Sequence, residues 1–271
     1  MPPEKRDGLF LKVLELNMRL KDKVALIGGA GSNMSRACAV LFAQEGARIV
    51  MAARSEERMQ QTARRIENAG GQVLTHQADL ANESEVDELV QAATDQFGGV
   101  DCFVHAAGGF YSSEHNLPGM AIKFLDEALR NNIRTLLVPA KRVVPIMAER
   151  GGGTIITVTA GFRVRQDANS AYAAAKGGMI GAAINLAGEL YTHNIRVHAI
   201  CPGVIKQPLP EGPLWPLKPK LERLGNPLDV AYGALWLCGD EAAWVTGQAI
   251  TIDGGDSVFI QSPTRRAFVE G

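Results

Sequence analysis

The sequence predicts a doubly wound α/β fold, a parallel sheet covered by helices on both faces. Two observations carry this. Seven short apolar runs alternate with longer amphipathic stretches from Lys23 onward, and a Gly-rich turn joins the first run to the first amphipathic stretch. Strands buried on both faces read as continuous apolar runs, and regular strand–helix alternation implies parallel pairing through crossover helices.

The runs that read as strands are Val24–Ile27, Arg48–Ala52, Gln72–Thr75, Cys102–Val104, Thr154–Val158, Arg196–Ile200 and Ala249–Ile252. Helical periodicity lies near 34–45, 56–69, 83–97, 121–149, 171–191 and 227–238. Asn82 and Glu85 have capping-box spacing at the start of the third helix. Asn226 followed by Pro227 supplies an N-cap and a first-turn proline for the last. Residues 21–257 are expected to form one domain, preceded by a helical extension over 1–20 and followed by a tail over 258–271.

Charge and cysteine content narrow the function. The 271 residues carry 28 basic and 29 acidic side chains, a balance that gives no electrostatic reason to expect nucleic acid or a membrane as partner. No apolar run approaches the ~20 residues of a membrane span. Lys12 and Glu15 interrupt the apolar stretch near the N-terminus, which therefore makes a poor signal peptide. Cys38, Cys102, Cys201 and Cys238 are widely spaced and form no CxxC pair. They read as buried apolar residues in a reducing, cytoplasmic compartment, with no metal site expected.

The turn after the first strand is Gly28-Gly29-Ala30-Gly31-Ser32-Asn33-Met34-Ser35. Between a strand and a helix, such a turn presents backbone N–H groups and a helix N-terminus to a pyrophosphate. The second strand ends Ala53-Arg54-Ser55, with Arg58 one turn on. An acid at that strand end accepts hydrogen bonds from a ribose 2′-hydroxyl and selects NAD. No acid stands there, and a guanidinium can bind a 2′-phosphate through paired, charge-assisted bonds. The expected cofactor is NADP(H), with NAD(H) as the alternative.

Over residues 20–255 the chain resembles the short-chain dehydrogenase/reductase family, most of all its β-ketoacyl-carrier-protein reductases and related ketone reductases. The family's turn reads TGxxxGxG; Gly29 keeps the first glycine, while Asn33 and Ser35 replace the other two. Asn tolerates a left-handed backbone, so Asn33 is expected to hold the turn. Asp79-Leu80 falls where the family's pair meets adenine, and His105-Ala106-Ala107-Gly108 stands for its Asn-Asn-Ala-Gly. Pro202-Gly203-Val204-Ile205 matches its nicotinamide turn, and Asp253-Gly254-Gly255 its last strand's flank. The resemblance implies a Rossmann-type sheet of about seven strands, a homodimer or homotetramer paired through the helices near 121–149 and 171–191, and a ketone or secondary-alcohol substrate. It also implies cofactor contacts from Gly29, Ser32, Asn33, Met34, Arg54, Asp79, Leu80, His105, Ala107, Gly108, Tyr172, Lys176, Pro202, Gly203, Ile205 and Gln207.

The sharpest chemical signal is Tyr172-Ala173-Ala174-Ala175-Lys176. Residues four apart on a helix share a face, so phenol and ammonium project toward one site. A phenol with a pKa near ~10 is a poor base at neutral pH, and a neighbouring cation favours its ionised form. Tyr172 then serves as proton donor in reduction and acceptor in oxidation. The resemblance gives Lys176 a second task, binding the nicotinamide ribose. It places a serine thirteen residues before the tyrosine, where Thr159 stands; the Thr159 hydroxyl is expected to orient the substrate oxygen. Counting from Ala160-Gly161 instead would put Val158 there. The family's fourth member, an asparagine that loosens the long helix for a proton relay, falls on Asn132, with Asn131 as the alternative.

His105 and His198 are expected to satisfy local backbone hydrogen bonds. Arg163 and Arg165, on an expected loop near the pocket, are solvated charges or receptors for an anionic substrate group. The proline-rich segment Leu209–Leu221 is a connecting loop or an apolar wall over the substrate. A second functional class stays open: a cofactor-binding scaffold or sensor without turnover, suggested by the missing glycines and the threonine at the serine position.

Overall fold

The computed structural model describes residues 18–109, 117–211, 214, 217, 221 and 223–258. The expected N-terminal helix and the C-terminal tail beyond 258 lie outside these residues. The elements are β1 (Val24–Gly28), α1 (Asn33–Gln44), β2 (Arg48–Ala53), α2 (Glu56–Asn68), β3 (Val73–Gln77), α3 (Glu83–Phe97), β4 (Cys102–His105), α4 (Ile122–Leu129), α5 (Thr135–Glu149), β5 (Gly153–Val158), α6 (Phe162–Gln166), α7 (Ser170–Glu189), β6 (Ile195–Pro202), α8 (Pro227–Cys238) and β7 (Ala249–Ile252). The seven strands form one sheet in the order β3-β2-β1-β4-β5-β6-β7, and every pairing is parallel.

Side chains alternate between the two faces of a strand, and both faces of the inner strands β1, β2, β4, β5 and β6 are buried. Along β1, Ala25 and Ile27 join Leu41 and Phe42 of α1 and Leu235 of α8 in one core. Val24 and Leu26 join Leu89 of α3, Val143 of α5 and Met179 of α7 in the other. That two-sided burial is why the strands read as apolar runs. The predicted strands appear in order, with β3 running on to Gln77 and β6 to Pro202.

Three local expectations change. The single helix expected over 121–149 is broken by a π-helical segment, Arg130–Arg134, between α4 and α5. The loop expected after β5 contains the short helix α6. Glu85 does not return to the Asn82 amide as a capping box requires. It accepts from Asn82 Nδ2 (2.5 Å) and from the Asp79 amide (2.7 Å), tying the end of β3 to α3. A true capping box starts α8, where Asp229 accepts from the Asn226 amide at 2.8 Å and also receives Arg223. All four cysteines are free and buried. Among the described residues no helix is long and apolar enough to cross a membrane.

Candidate active site

The sheet order reverses direction between β1 and β4, and the crevice outside the carboxyl ends of these strands is where an open α/β sheet binds its ligand. A cleft of about 280 Å³ opens there, walled by the turn after β1, the ends of β2 and β3, and the segment after β4. Seven of the predicted cofactor residues line it: Gly29, Ser32, Arg54, Asp79, Leu80, Ala107 and Gly108.

The turn is built for close backbone approach. Gly29 has φ +75°, and a Cβ there would lie 2.3 Å from the Ala107 amide nitrogen, so only glycine fits. Asn33, by contrast, is not left-handed; Asp22 and Asn194 are the non-glycine residues with positive φ among those described. Asn33 opens α1, and the turn is held by hydroxyls. Ser32 caps α1 by accepting from the Ser35 amide at 3.2 Å, and the buried Ser35 hydroxyl donates to the Gly29 carbonyl at 2.7 Å. Serine thus takes over the closing of the turn where the family pattern has glycine.

At the far end of the cleft stand Arg54, Ser55 and Arg58. The acid nearby, Asp79, is committed elsewhere: it receives Arg130 Nη2 at 2.7 Å and the Ala81 amide at 3.0 Å. Burial alone would raise its pKa. The Ala81 amide, the Arg130 guanidinium and the charge of Arg54 outweigh this and hold the carboxyl below its usual range. The donor set suits a dinucleotide: a glycine cradle, a helix N-terminus and two guanidinium groups.

The other half of the site lies where α7, the π segment and the end of β5 meet. Asn169 caps α7 by accepting from the Tyr172 amide at 2.8 Å, which sets Tyr172 in the first turn. Lys176 follows one turn on, its Nζ 5.9 Å from the Tyr172 ring centroid and donating to the Val158 carbonyl at 3.1 Å. Both residues are buried. Burial pushes the Lys176 ammonium down to about 8, a shift that nearby Cys201 partly opposes.

Asn132 is fully buried inside the π segment. Its Nδ2 donates to the Ala128 carbonyl at 2.8 Å, and its Oδ1 has no hydrogen-bond partner. A Cβ on Gly108 would lie 2.7 Å from Asn132 Oδ1 and 2.8 Å from Lys176 Nζ, so both polar atoms converge on one point beside the cleft. Asn131 is half-buried in the cleft wall, with its amide turned back to the Glu127 carbonyl. Of the two candidates, Asn132 is the one the fold brings to Lys176.

Thr159 is buried just past β5, and its Oγ1 donates to the Ile200 carbonyl at 3.1 Å and lies 3.1 Å from Cys201 Sγ. The same carbonyl also accepts the Thr159 amide at 2.7 Å, so it stays satisfied if the hydroxyl turns away. Pro202 ends β6 and its carbonyl accepts the Gly161 amide at 2.6 Å. Gly203 and Ile205 line a second, smaller cavity with Arg223 and Asp229, while Gln207 Oε1 accepts from Asn226 Nδ2 at 3.3 Å.

Other sequence expectations are redrawn. The His105 side chain is not a wall of the cleft. It is fully buried and bonded to the hydroxyls of Thr157 and Thr135 rather than to backbone. Burial and the charge of Lys176 lower it to about 3, so the ring is neutral. His198 is buried beside Arg196, with Nδ1 unpartnered. Met34 packs against the core. Arg165 donates to the Ala160 carbonyl and Arg163 to Gln166, and both are half-buried on α6. In the proline-rich segment Leu214 is buried in the core, its amide donating to Gln44 of α1. Several of the other residues in that segment lie outside the described set. The sequence reading missed Gly31, Ala78, Ala106 and Thr135 in the cleft wall. The first three are neighbours of motif residues; Thr135 stands four after Asn131, a spacing that marks a shared helix face.

Comparison with known proteins gives one answer. Residues 29–257 match the family described as enoyl-(acyl carrier protein) reductase. The 3-oxoacyl-(acyl-carrier-protein) reductase of Thermotoga maritima is 33% identical over 247 residues, covering 88% of this chain and 99% of that one. The 7α-hydroxysteroid dehydrogenase of Escherichia coli K12 is 32% identical, covering 88% and 96%. A solved 7α-hydroxysteroid dehydrogenase complexed with NADH and 7-oxo glycochenodeoxycholic acid superposes with a TM-score of 0.76 at 30% identity, over 88% of this chain and 96% of its own. A short-chain type dehydrogenase/reductase from Mycobacterium marinum does so at 0.79 and 26%, over 91% and 99%.

Proposed function

The chain belongs to the short-chain dehydrogenase/reductase family, oxidoreductases acting on CH–OH groups, and from that premise we propose that it interconverts a ketone and a secondary alcohol with NADP(H) in preference to NAD(H). The observation that carries the reading is the convergence of Lys176 and Asn132 on Gly108 of the cleft wall, with the Tyr172 ring beside Lys176.

The bound nicotinamide supplies or accepts the hydride. The chain's own residues handle binding and the proton. Gly29 and Ser32 receive the pyrophosphate, and Asp79 and Leu80 the adenine side. Arg54, Ser55 and Arg58 meet the 2′-phosphate, and Ala107 and Gly108 give the middle of the cleft its floor. Pro202, Gly203, Ile205 and Gln207 border the nicotinamide. In reduction the Tyr172 hydroxyl gives its proton to the substrate oxygen, and the Lys176 ammonium steadies the phenolate left behind. Asn132 connects Lys176 to the proton supply. Thr159 swings its hydroxyl from the Ile200 carbonyl to the substrate oxygen, a rotation that leaves no unpaired acceptor because the Thr159 amide keeps that carbonyl bonded.

The protein acts as a homodimer or homotetramer in the cytoplasm. Leu137 of α5 and Ile184 of α7 are exposed on the helices that would pair. Light scattering at micromolar concentration checks this; a monomeric mass refutes it.

The test of function is a panel of ketones and secondary alcohols, 3-oxoacyl thioesters and oxosteroids among them, followed through nicotinamide absorbance with both cofactors. Turnover with NADP(H) favoured is the expected result. Tight cofactor binding without turnover on any substrate would instead support the scaffold reading, which the hydroxyl engagement of Thr159 favours.

A further inference from the structure

The π segment that carries Asn132 is fastened to the sheet by one buried ring. His105, the last residue of β4, is fully buried. Its Nδ1 lies 3.1 Å from Thr157 Oγ1 on β5, and its Nε2 lies 3.0 Å from Thr135 Oγ1, the residue that follows the π segment. Thr135 Oγ1 in turn donates to the carbonyls of Asn131 (2.9 Å) and Asn132 (3.1 Å).

The protons in this chain have a consistent arrangement. A neutral imidazole has one donor and one acceptor nitrogen, and a hydroxyl has one proton. With the Thr135 proton on the carbonyls of the π segment, Nε2–H donates to Thr135 Oγ1 and Nδ1 accepts from Thr157. Buried polar groups that are satisfied in this way rigidify what they join. What they join here is specific. Thr157 immediately precedes Val158, whose carbonyl holds Lys176 Nζ. Thr135 closes the π segment, whose middle residue is Asn132.

We propose that His105 is a positioning residue: through Thr157 and Thr135 it fixes the spacing between β5 and the π segment, and thereby keeps Lys176 and Asn132 side by side. The kinetic part of this inference rests on the reductase reading above; the structural part does not.

Because replacing His105 itself risks misfolding, the test uses its partners. Thr135→Val and Thr157→Val remove one hydroxyl each at nearly constant volume, and Thr135→Ser and Thr157→Ser restore it. Hydrogen exchange is measured on the full chain, with Tm, kcat and KM beside it. Amide exchange over residues 130–136 in Thr157→Val, which reaches the π segment only through His105, should rise about two- to tenfold while exchange in β2 stays as in the parent. On any ketone that the parent reduces, Thr157→Val, which lies outside the cleft wall, should lower kcat about tenfold or more with KM for the cofactor within about twofold. The serine variants should return both readings to the parental range. Unchanged exchange over 130–136, or a rise spread evenly through the sheet, overturns the proposal whether or not the parent has turnover. Raised local exchange with unchanged kcat in an active parent overturns its kinetic part.

Discussion

Adding a single methyl group at Gly108 should cripple the site without replacing any of the side chains proposed to do chemistry. A Cβ there would lie 2.7 Å from Asn132 Oδ1 and 2.8 Å from Lys176 Nζ, against the 3.4 Å at which ordinary contact begins. Each atom would have to withdraw by roughly 0.6 Å or more. Neither has room. Lys176 is buried and tethered to the Val158 carbonyl, and the Asn132 amide is locked to the Ala128 carbonyl inside the π segment. Overpacking of this kind costs about 1–3 kcal/mol of stability. A misplacement approaching 1 Å at a catalytic group costs on the order of 10²-fold in rate. Gly108→Ala should therefore lose about 2 kcal/mol in urea unfolding and about 100-fold in kcat. Gly177→Ala is the control. It neighbours Lys176 on α7, and its Cβ would meet nothing within 4 Å, so it should be neutral or slightly stabilising. A Gly108→Ala protein with kcat within twofold of the parent and unchanged unfolding would refute the convergence of Lys176 and Asn132 on this point.

Tyr172→Phe should lower kcat by at least ~10²-fold with little change in Tm; near-parental turnover by the folded variant would remove Tyr172 from the mechanism. Arg54→Ala should cost NADP(H) most of its kcat/KM advantage and leave NAD(H) nearly unchanged, so an unaltered ratio would show that the end of β2 does not read the 2′-phosphate. Thr159→Val should reduce kcat by about 10- to 100-fold while Thr159→Ser does not, and stability should barely move because the Ile200 carbonyl keeps its amide donor. With Lys176 lowered to about 8, its ammonium is lost as pH rises through that value, and reductive kcat/KM should fall on the alkaline side with an apparent pKa near 8. The stability effect has the opposite sign. Between pH 8 and 10.5 the unfolded chain binds more protons at this site than the folded one, so this residue's contribution to stability rises with pH there. Lys176→Arg should carry the alkaline limb out of range, and a limb that stays in place would belong to another group.

Much of the fold was legible because its signals are local and redundant. Two-sided burial writes the inner strands as apolar runs, and Gly29 stands where any side chain would strike the Ala107 backbone. Tyr172 and Lys176 are joined by helical geometry alone. What the sequence hid is where a pattern continues while the structure departs from it. Apolar periodicity runs through residues 130–134, so the π segment left no mark except an asparagine with poor helix propensity. At the phosphate turn the residue aligned with a glycine, Asn33, suggested a left-handed backbone, whereas two serine hydroxyls closed the turn by side-chain bonds that no spacing rule anticipates. The state of Thr159 was hidden for a similar reason, since its partner lies forty-one residues away on β6. His105 was misplaced because its role depends on two threonines from different elements that only the folded sheet brings together.

The strand order also has a consequence for the chain as it leaves the ribosome. The first three strands are made in the order β1, β2, β3 and can pair on one side, but the inner edge of β1 waits for β4, and the sheet then grows outward strand by strand to β7. Until Cys102–His105 emerges, an apolar strand edge stands open to other chains. The helical layer closes later still. Leu41 and Phe42 of α1 share their core with Leu235 of α8, the last α-helix among the described residues. A nascent chain therefore carries the sticky face of α1 for most of translation, the condition under which partly made proteins aggregate.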